Sequence, residues 1–332
     1  MPASGTSSNG RTPSYDAISG AIARAVTFLR ARQLASGEIP VSMWTETRSA
    51  PDHSIFPTSL AAWSLSFVPE AETVLERTLD FLEREAGPGG LWRHWSREHR
   101  HHRFIPPDLD DTCTASAALL QSRRAVPPNR DRILKNRNRR GLFRTWRLTR
   151  EQFLRPHALL LFYHSTMASP FDVDAVVNAN VLLYLGVSEE TRAAAAWLRE
   201  IIREGREADC DKWYENPIVV RYFLARAMKD SAPDLADLLA RRARESEPSN
   251  ALEDALAACT QLDANRRPGL THLLSTQLDS GGWPRAGVYH GGRPRRRGGT
   301  FGPSPPHTPW WGSEELTTVF CLEALARARS VS

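Results

Sequence analysis

The feature that most constrains the fold of this chain is a strict alternation of two kinds of helical segment. The first kind is amphipathic, with one apolar stripe at helical spacing and a polar opposite face. The second kind is small and apolar on nearly every side, which predicts a helix buried all round. The amphipathic segments are 15–33, 70–85, 129–137, 189–204, 235–245 and 267–277, and the apolar segments are 56–65, 111–121, 174–185, 216–228, 251–262 and 315–328.

Six pairs of this kind indicate a helical repeat, because each pair needs a neighbour to cover its apolar faces. Six pairs can close on themselves, so we predict an all-α (α/α)6 toroid with the apolar helices as its inner ring. The predicted domain spans 15–330 and carries a basic insertion around 123–150 and a long loop at 284–312. Residues 1–14 are polar and rich in Gly, Ser and Pro, which predicts a disordered tail.

Gly-aromatic signals recur after the amphipathic segments. The clearest runs from Gln277 through Gly281 to Trp283 in a QxxxGxW pattern, and 33–39 has the same spacing with Ile39 in place of Trp. A degenerate copy ends at Trp92. Because Gly ends a helix readily and the aromatic ring can pack back on the helix end, we interpret these signals as structural staples without chemistry.

Three carboxylates lie within four residues, at Asp108, Asp110 and Asp111, directly before a small apolar helix. Like charges at such spacing repel, so at least one of the three is expected to have a raised pKa and to hold a proton at neutral pH. The plainer interpretation is an N-cap, since Asp is common there and suits the helix dipole. One cap needs only one of the three, and both interpretations stay open at this point.

Charge and cysteine content narrow the function classes. The net charge is +5, yet 123–150 holds eleven Arg or Lys against the single acid Asp131. Such a patch suits nucleic acid, an anionic membrane or a diphosphate, but no nucleic-acid-binding motif accompanies it. The chain has no run of eighteen apolar residues, so we expect a cytoplasmic protein. The four cysteines show no CxxC spacing and are expected to be reduced residues, mostly in the core.

These patterns together resemble a known family. The QxxxGxW repeats resemble the QW motifs of squalene-hopene and oxidosqualene cyclases, members of the prenyltransferase and squalene oxidase repeat group. The run 108–112 looks like the DxDDT motif of class II terpene cyclases. This resemblance implies an isomerase that cyclises a linear isoprenoid, with Asp110 as the general acid and Asp108 and Asp111 holding and returning its proton. No cofactor is implied, except Mg²⁺ where the substrate is a diphosphate.

A second polar group is expected at the mouth of the toroid. Asp174 and Asn178 are four residues apart on one helix face, and Asp172 precedes them. With Tyr214 and Trp311, they are our candidate substrate-binding residues, with helix capping as the alternative for the two acids. Two or three of the following aromatic residues are expected to line a pocket that guides a carbocation: Trp63, Trp92, Trp95, Trp213, Tyr214, Trp310 and Trp311.

The chain also departs from the resemblance, because full-length cyclases of this kind place the cavity between two helical barrels and this chain has residues for one. The segments 123–150 and 291–308 are candidate lids, and their charge suits a prenyl diphosphate.

One alternative is a toroid that binds a lipid, peptide or partner enzyme without catalysis. Another is a zinc prenyltransferase-like enzyme, since Asp111 and Cys113 match half of its metal site. No histidine accompanies Cys321, and the histidines at 99, 101 and 102 are interpreted as solvent-facing, so no metal site is predicted. Peripheral membrane contact and the oligomeric state are left open.

Overall fold

The computed structural model describes residues 13–150, 154, 156–296 and 298–331. Most of the predicted tail, residues 1–12, lies outside the described residues, while Ser14 caps the first helix. The described helices are α1 (Tyr15–Arg32), α2 (Ile55–Leu65), α3 (Glu72–Glu85), α4 (Leu109–Gln121), α5 (Arg130–Leu134), α6 (Pro156–Ser165), α7 (Ala175–Leu185), α8 (Arg192–Glu204), α9 (Pro217–Met228), α10 (Pro233–Arg244), α11 (Ala251–Asp263), α12 (Thr271–Ser275) and α13 (Glu314–Ser330).

Within this described part of the chain, six helices form a closed inner ring in the order α2, α4, α7, α9, α11 and α13, with α13 returning to α2. Each coincides with a predicted apolar segment. The amphipathic helices α1, α3, α8, α10 and α12 pack outside the ring, each against an inner helix. The predicted toroid is therefore confirmed.

All the inner helices begin at one end of the ring, because an outer segment returns the chain between one inner helix and the next. Each begins after a polar N-cap position, which is Ser54, Asp108, Asp174, Asn216, Asn250 or Ser313. Capping is the preferred use of these residue types. The predicted gathering of polar residues at one end of the barrel follows from this pattern.

The two best copies of the Gly-aromatic signal make the same contacts. The side-chain amides of Gln33 and Gln277 donate to the carbonyls of Gly37 (2.9 Å) and Gly281 (2.8 Å). Both glycines have positive φ, at 92° and 91°. A Cβ on either would lie within 2.6 Å of a neighbouring helix carbonyl, so only glycine fits. The signals are staples between outer helices, as the sequence predicts.

The structure adds two features that helical periodicity does not predict. A small antiparallel sheet has the order β2-β1-β4-β3, formed by β1 (Val41–Trp44), β2 (Ser49–Asp52), β3 (Tyr289–His290) and β4 (Trp310–Gly312). Helix α6 follows the basic insertion and exposes Leu160 and Leu161. The sheet and α6 both lie beside the cavity described below.

The four cysteines are buried and unpaired, as predicted. No helix among the described residues is both long and apolar enough to cross a membrane.

Candidate active site

The three neighbouring acids take different positions at the start of α4. Asp108 is the N-cap, and its Oδ1 accepts a hydrogen bond from the backbone N–H of Asp111 at 2.8 Å. The capping interpretation is therefore correct for Asp108. Asp108 and Asp111 are buried, whereas Asp110 keeps part of its surface open. Only one of the three acids is needed for the cap, and a second is left open to a cavity.

Asp110 is held by two hydrogen-bond donors from other inner segments. The hydroxyl of Tyr214 donates to Oδ2 at 2.7 Å, and the amide of Asn180 on α7 donates to Oδ1. Asn180 in turn accepts from the buried guanidinium of Arg226. These contacts fix the plane of the Asp110 carboxyl without pairing it directly with a cation.

The surroundings favour the protonated form of the acids. Burial and, after it, the charge of the nearby Asp108 raise the pKa of Asp110 to about 7, against the hydrogen bonds from Tyr214 and Asn180, which lower it. Burial and then the charge of Asp108 raise the pKa of Asp111 well above its usual range. Asp110 is therefore a carboxylic acid that keeps its proton near neutral pH and can release it.

A cavity of about 550 Å³ opens beside the acids. Its walls are mainly apolar and rich in aromatic rings, with edge-to-face pairs such as Phe56 and Tyr289 (ring centroids 5.4 Å) and a stacked pair of Tyr289 and Trp311 (5.4 Å). The aromatic lining consists of Phe56, Trp95, Trp146, Phe162, Trp213, Tyr214, Tyr289 and Trp311. The site thus joins the acid run to an apolar, electron-rich surface.

Loops and α6 form the outer walls of this cavity above the single barrel. Thr145 and Trp146 come from the end of the basic insertion, Phe162 from α6, and residues 305–309 from the long loop. Both predicted lid segments therefore contribute walls.

Several basic side chains of these segments serve the fold. Arg293 donates to the carbonyls of Asp211, Ala208 and Tyr214, and Arg137 donates to the carbonyls of Leu134 and Glu190. Among the described lining residues there is neither Arg nor Lys. The expectation that the charge of these lids suits a diphosphate gains no support from the lining.

The predicted substrate-binding residues divide into two groups. Tyr214 and Trp311 line the cavity as expected. Asp172 and Asp174 lie behind its wall: Asp172 accepts from Trp146 Nε1 (3.2 Å), and Asp174 accepts from Thr145 Oγ1 (2.5 Å) and Trp213 Nε1 (3.2 Å). They hold wall residues in place, and their contact with substrate stays a prediction.

Asn178 has a structural task that the sequence did not suggest. Its Oδ1 accepts from the backbone N–H of Phe143 at 2.9 Å. Thr58 and Thr112 occupy the same place on α2 and α4, four residues after the N-cap, and accept from the N–H of Ile39 and Trp92. Asn178 thus makes the same helix-to-loop hydrogen bond as the equivalent residues of the other repeats. Asn178 does not line the cavity, and its contact with substrate stays a prediction.

Four of the seven aromatic candidates line the cavity, namely Trp95, Trp213, Tyr214 and Trp311. Trp92 is instead a core residue whose Nε1 donates to the carbonyl of Leu82. Sequence reasoning missed Asn180, Phe56, Trp146, Phe162 and Tyr289. The only usable signal was the position of Trp146 at the end of the basic insertion, which the sequence predicts as a lid.

The histidine tract has local partners. His99 stacks on Trp95 with ring centroids 4.7 Å apart, and its Nε2 lies 3.4 Å from Asp52 Oδ1. Within the described ranges, no group of three or more His, Cys, Asp or Glu side chains is arranged to hold a metal ion.

Comparison with known proteins begins with sequence. No family model matches the chain. The chain is 26% identical over 199 residues to drimenol cyclase drtB from Aspergillus calidoustus, an alignment that covers 56% of this chain and 34% of that protein. The chain therefore spans about a third of the length of this curated relative.

Solved structures are similar over nearly the whole chain. A variant of the type II terpene cyclase MstE from Scytonema, in complex with geranylgeranyl dihydroxybenzoate as substrate, matches with TM-score 0.70 and 14% identity over 96% of this chain and 99% of that one. A protein from Actinoplanes matches with TM-score 0.69 and 16% identity, covering 94% and 99%. The ent-copalyl diphosphate synthase from Streptomyces platensis matches with TM-score 0.51 and 17% identity, covering 82% and 50%. The chain therefore has the toroid fold of the type II terpene cyclases.

Proposed function

We propose that this chain is a class II terpene cyclase-like enzyme that starts the cyclisation of a linear isoprenoid by protonation from Asp110. One observation carries the proposal: Asp110 is a carboxylic acid with a pKa of about 7 that opens into an aromatic cavity. The MstE structures support the substrate class, since they contain geranylgeranyl dihydroxybenzoate as substrate and merosterolic acid A as product. The name of the drimenol cyclase points to the same reaction class.

The acid step needs a donor that is protonated before the substrate arrives. Asp110 meets this need because burial and Asp108 both disfavour its charged form. Its proton forms a C–H bond with one alkene carbon or opens an epoxide, and the neighbouring carbon becomes a cation. The hydrogen bonds from Tyr214 and Asn180 then stabilise the carboxylate that is left behind.

The aromatic lining serves the steps that follow. A carbocation is attracted to the faces of Trp and Tyr rings, and the lining excludes water that would capture the cation early. The rings of Tyr289 and Trp311, which are nearly parallel at 8°, give one such surface. Further double bonds of the chain attack the cation and form the ring C–C bonds. The proton donor and the cavity both come from the chain, so we propose no cofactor for these steps.

We propose Mg²⁺ only as a counterion for a substrate that carries a diphosphate. We propose a peripheral contact with a membrane, which the sequence left open, because α6 exposes leucines beside the cavity where an apolar substrate can enter. Mg²⁺ therefore has a role only if the end of the substrate away from the protonated group carries a diphosphate.

The test is product analysis in D₂O with farnesyl and geranylgeranyl chains, each supplied as alcohol and as diphosphate with Mg²⁺, together with geranylgeranyl dihydroxybenzoate. A cyclic product with one deuterium from solvent is expected. Asp110→Asn keeps the shape of the side chain but removes the proton, so turnover should fall at least ~10³-fold. Asp131→Asn, an exposed acid in the basic insertion, is the matched control and should leave turnover unchanged.

Full turnover by Asp110→Asn would contradict the assignment of the acid. Saturable binding by the wild-type chain without any product would favour the non-catalytic toroid. Stoichiometric zinc in the purified protein would favour the prenyltransferase-like alternative.

A further inference from the structure

His94 is a second titratable group that lines the cavity and that the acid step does not use. It lies in the loop before α4, and three aromatic rings surround it with centroid distances of 5.6 Å (Trp95), 5.7 Å (Tyr289) and 5.8 Å (Trp311). Burial lowers the pKa of His94, although Asp52 and Asp108 oppose this effect. The imidazole is therefore neutral at pH 7 and able to accept a proton.

A polar chain lies behind the ring. His94 Nε2 is 3.4 Å from the hydroxyl of Ser54, and that hydroxyl donates to Asp52 Oδ2. Ser54 occupies the N-cap position of α2 but makes no capping hydrogen bond, so its hydroxyl serves Asp52 rather than the helix. Trp311 Nε1 also donates to Asp52, at 2.8 Å, and His99 pairs with it.

This arrangement determines which ring nitrogen of His94 carries the hydrogen. Since Ser54 donates to Asp52, its oxygen is free to accept from His94 Nε2–H, which leaves the lone pair on Nδ1. A proton taken up at Nδ1 creates an imidazolium whose charge the Asp52 carboxylate stabilises through Ser54. The same logic of a base oriented by a buried acid recurs in many enzymes.

The proposed function requires such a group, because an isomerisation that begins with one proton gained must end with one proton lost. We propose that His94 is the base that ends the cyclisation, with Ser54 and Asp52 as its positioning residues; this inference rests on the proposed function. In the final carbocation, a C–H bond next to the cationic carbon breaks and its electron pair forms a C=C bond. The proton passes to His94, so the overall reaction gains and loses one proton.

The other histidines of the lining are less suited to this task. His290 Nδ1 accepts from the N–H of Gly292 at 3.1 Å, and burial lowers the pKa of His290 to about 4. His307 is largely exposed and pairs with Glu46. His164 is exposed at the end of α6. Of these rings, His94 alone is both enclosed by aromatic walls and connected to a buried carboxylate.

The experiment compares the products of the wild-type chain with those of His94→Phe, which keeps an aromatic ring and removes the base. Because Asp110 is intact, substrate consumption should fall less than ~10-fold, whereas the cyclic alkene formed by proton loss should fall ~10²-fold in favour of water-captured alcohols or other alkenes. Ser54→Ala should move the product ratio in the same direction by a smaller factor. His101→Phe, a neighbouring histidine outside the lining, should leave the ratio unchanged. His94→Gln, which is polar but not basic, should repeat the effect of His94→Phe.

An unchanged product ratio in folded His94→Phe and His94→Gln would overturn the inference while leaving the proposed function intact. A wild-type product that is purely a water-captured alcohol would also overturn it. A wild-type chain that cyclises nothing removes the proposed function and, with it, this inference. Loss of consumption in Asp110→Asn but not in His94→Phe separates the two roles.

Discussion

Asp110 and Glu323 are both carboxylates on inner helices, and each accepts a hydrogen bond from a tyrosine hydroxyl, from Tyr214 at 2.7 Å and from Tyr222 at 2.9 Å. They differ in their charged neighbours. Arg327 donates to Glu323 at 2.8 Å and to Asp263 at 2.6 Å. In contrast, no ion pair within the described residues joins an Arg or Lys to any acid of the run 108–111.

The comparison shows how one barrel uses the same chemical group in two ways. Glu323 is fully buried and its charge is balanced, so it ties α13 to Ser64 of α2 and to Tyr222 of α9. Asp110 has like charges beside it and a cavity in front of it, so its proton is both retained and accessible. A balanced carboxylate stabilises the fold, and an unbalanced one is available for chemistry.

The largest expected effect on stability is at the balanced site. Arg327→Met leaves the buried Glu323 without its cation and leaves Asp263 with Lys229 alone, at 3.6 Å. Removing one partner of such a buried group costs about 3–5 kcal/mol. Urea denaturation at pH 7 measures this loss. Arg124→Ala is the matched control, because Arg124 also contacts three carboxylates but on the surface, where the loss should stay below ~1 kcal/mol. Equal losses in the two variants would remove the distinction between the sites.

A smaller effect, on how the free energy of unfolding depends on pH, is expected at Asp110. The pKa of Asp110 is about 7 in the folded chain and ~4 when unfolded, so the folded state binds the extra proton between these values. Stability from this group is therefore complete below about pH 4 and is lost as pH rises through 7, by on the order of 2 kcal/mol after allowance for its partial exposure.

Denaturation of wild-type and Asp110→Asn proteins at pH 5 and pH 8 checks this dependence. The variant should lose less stability than the wild-type chain between the two pH values, because its amide does not ionise. Asp174, whose pKa burial raises to about 6, titrates in both proteins and cancels in the difference. A wild-type chain that gains stability relative to the variant as pH rises would contradict the assignment of a raised pKa to Asp110.

The sequence predicted the helices of this barrel better than the contacts of its acid. Helical periodicity is a property of each segment alone, so it located the inner ring, and the close spacing of three carboxylates located the acid run. The strands β1 and β3 are four and two residues long, too short for an alternating pattern to be recognised. Asn178 was singled out, but its neighbour Asn180 contacts Asp110. Two residues turn a helix by about 200°, and only the packing of α7 decides which side faces α4.

The smallest expected effect is a shift in the pH–rate profile that distinguishes Tyr214 from Tyr222. The Tyr214 hydroxyl lowers the pKa of Asp110 by bonding to its charged form, so Tyr214→Phe should raise that pKa. The alkaline limb of the pH–rate profile, where activity falls as Asp110 loses its proton, should move up by about one pH unit, the equivalent of ~1.4 kcal/mol. Tyr222→Phe removes the matching hydrogen bond at Glu323 and should lower the urea midpoint without moving this limb. Both changes delete one hydroxyl from a buried ring. If both shift the alkaline limb of the pH–rate profile, that limb reports general packing. If only Tyr214→Phe shifts it, Asp110 is identified as the titrating acid.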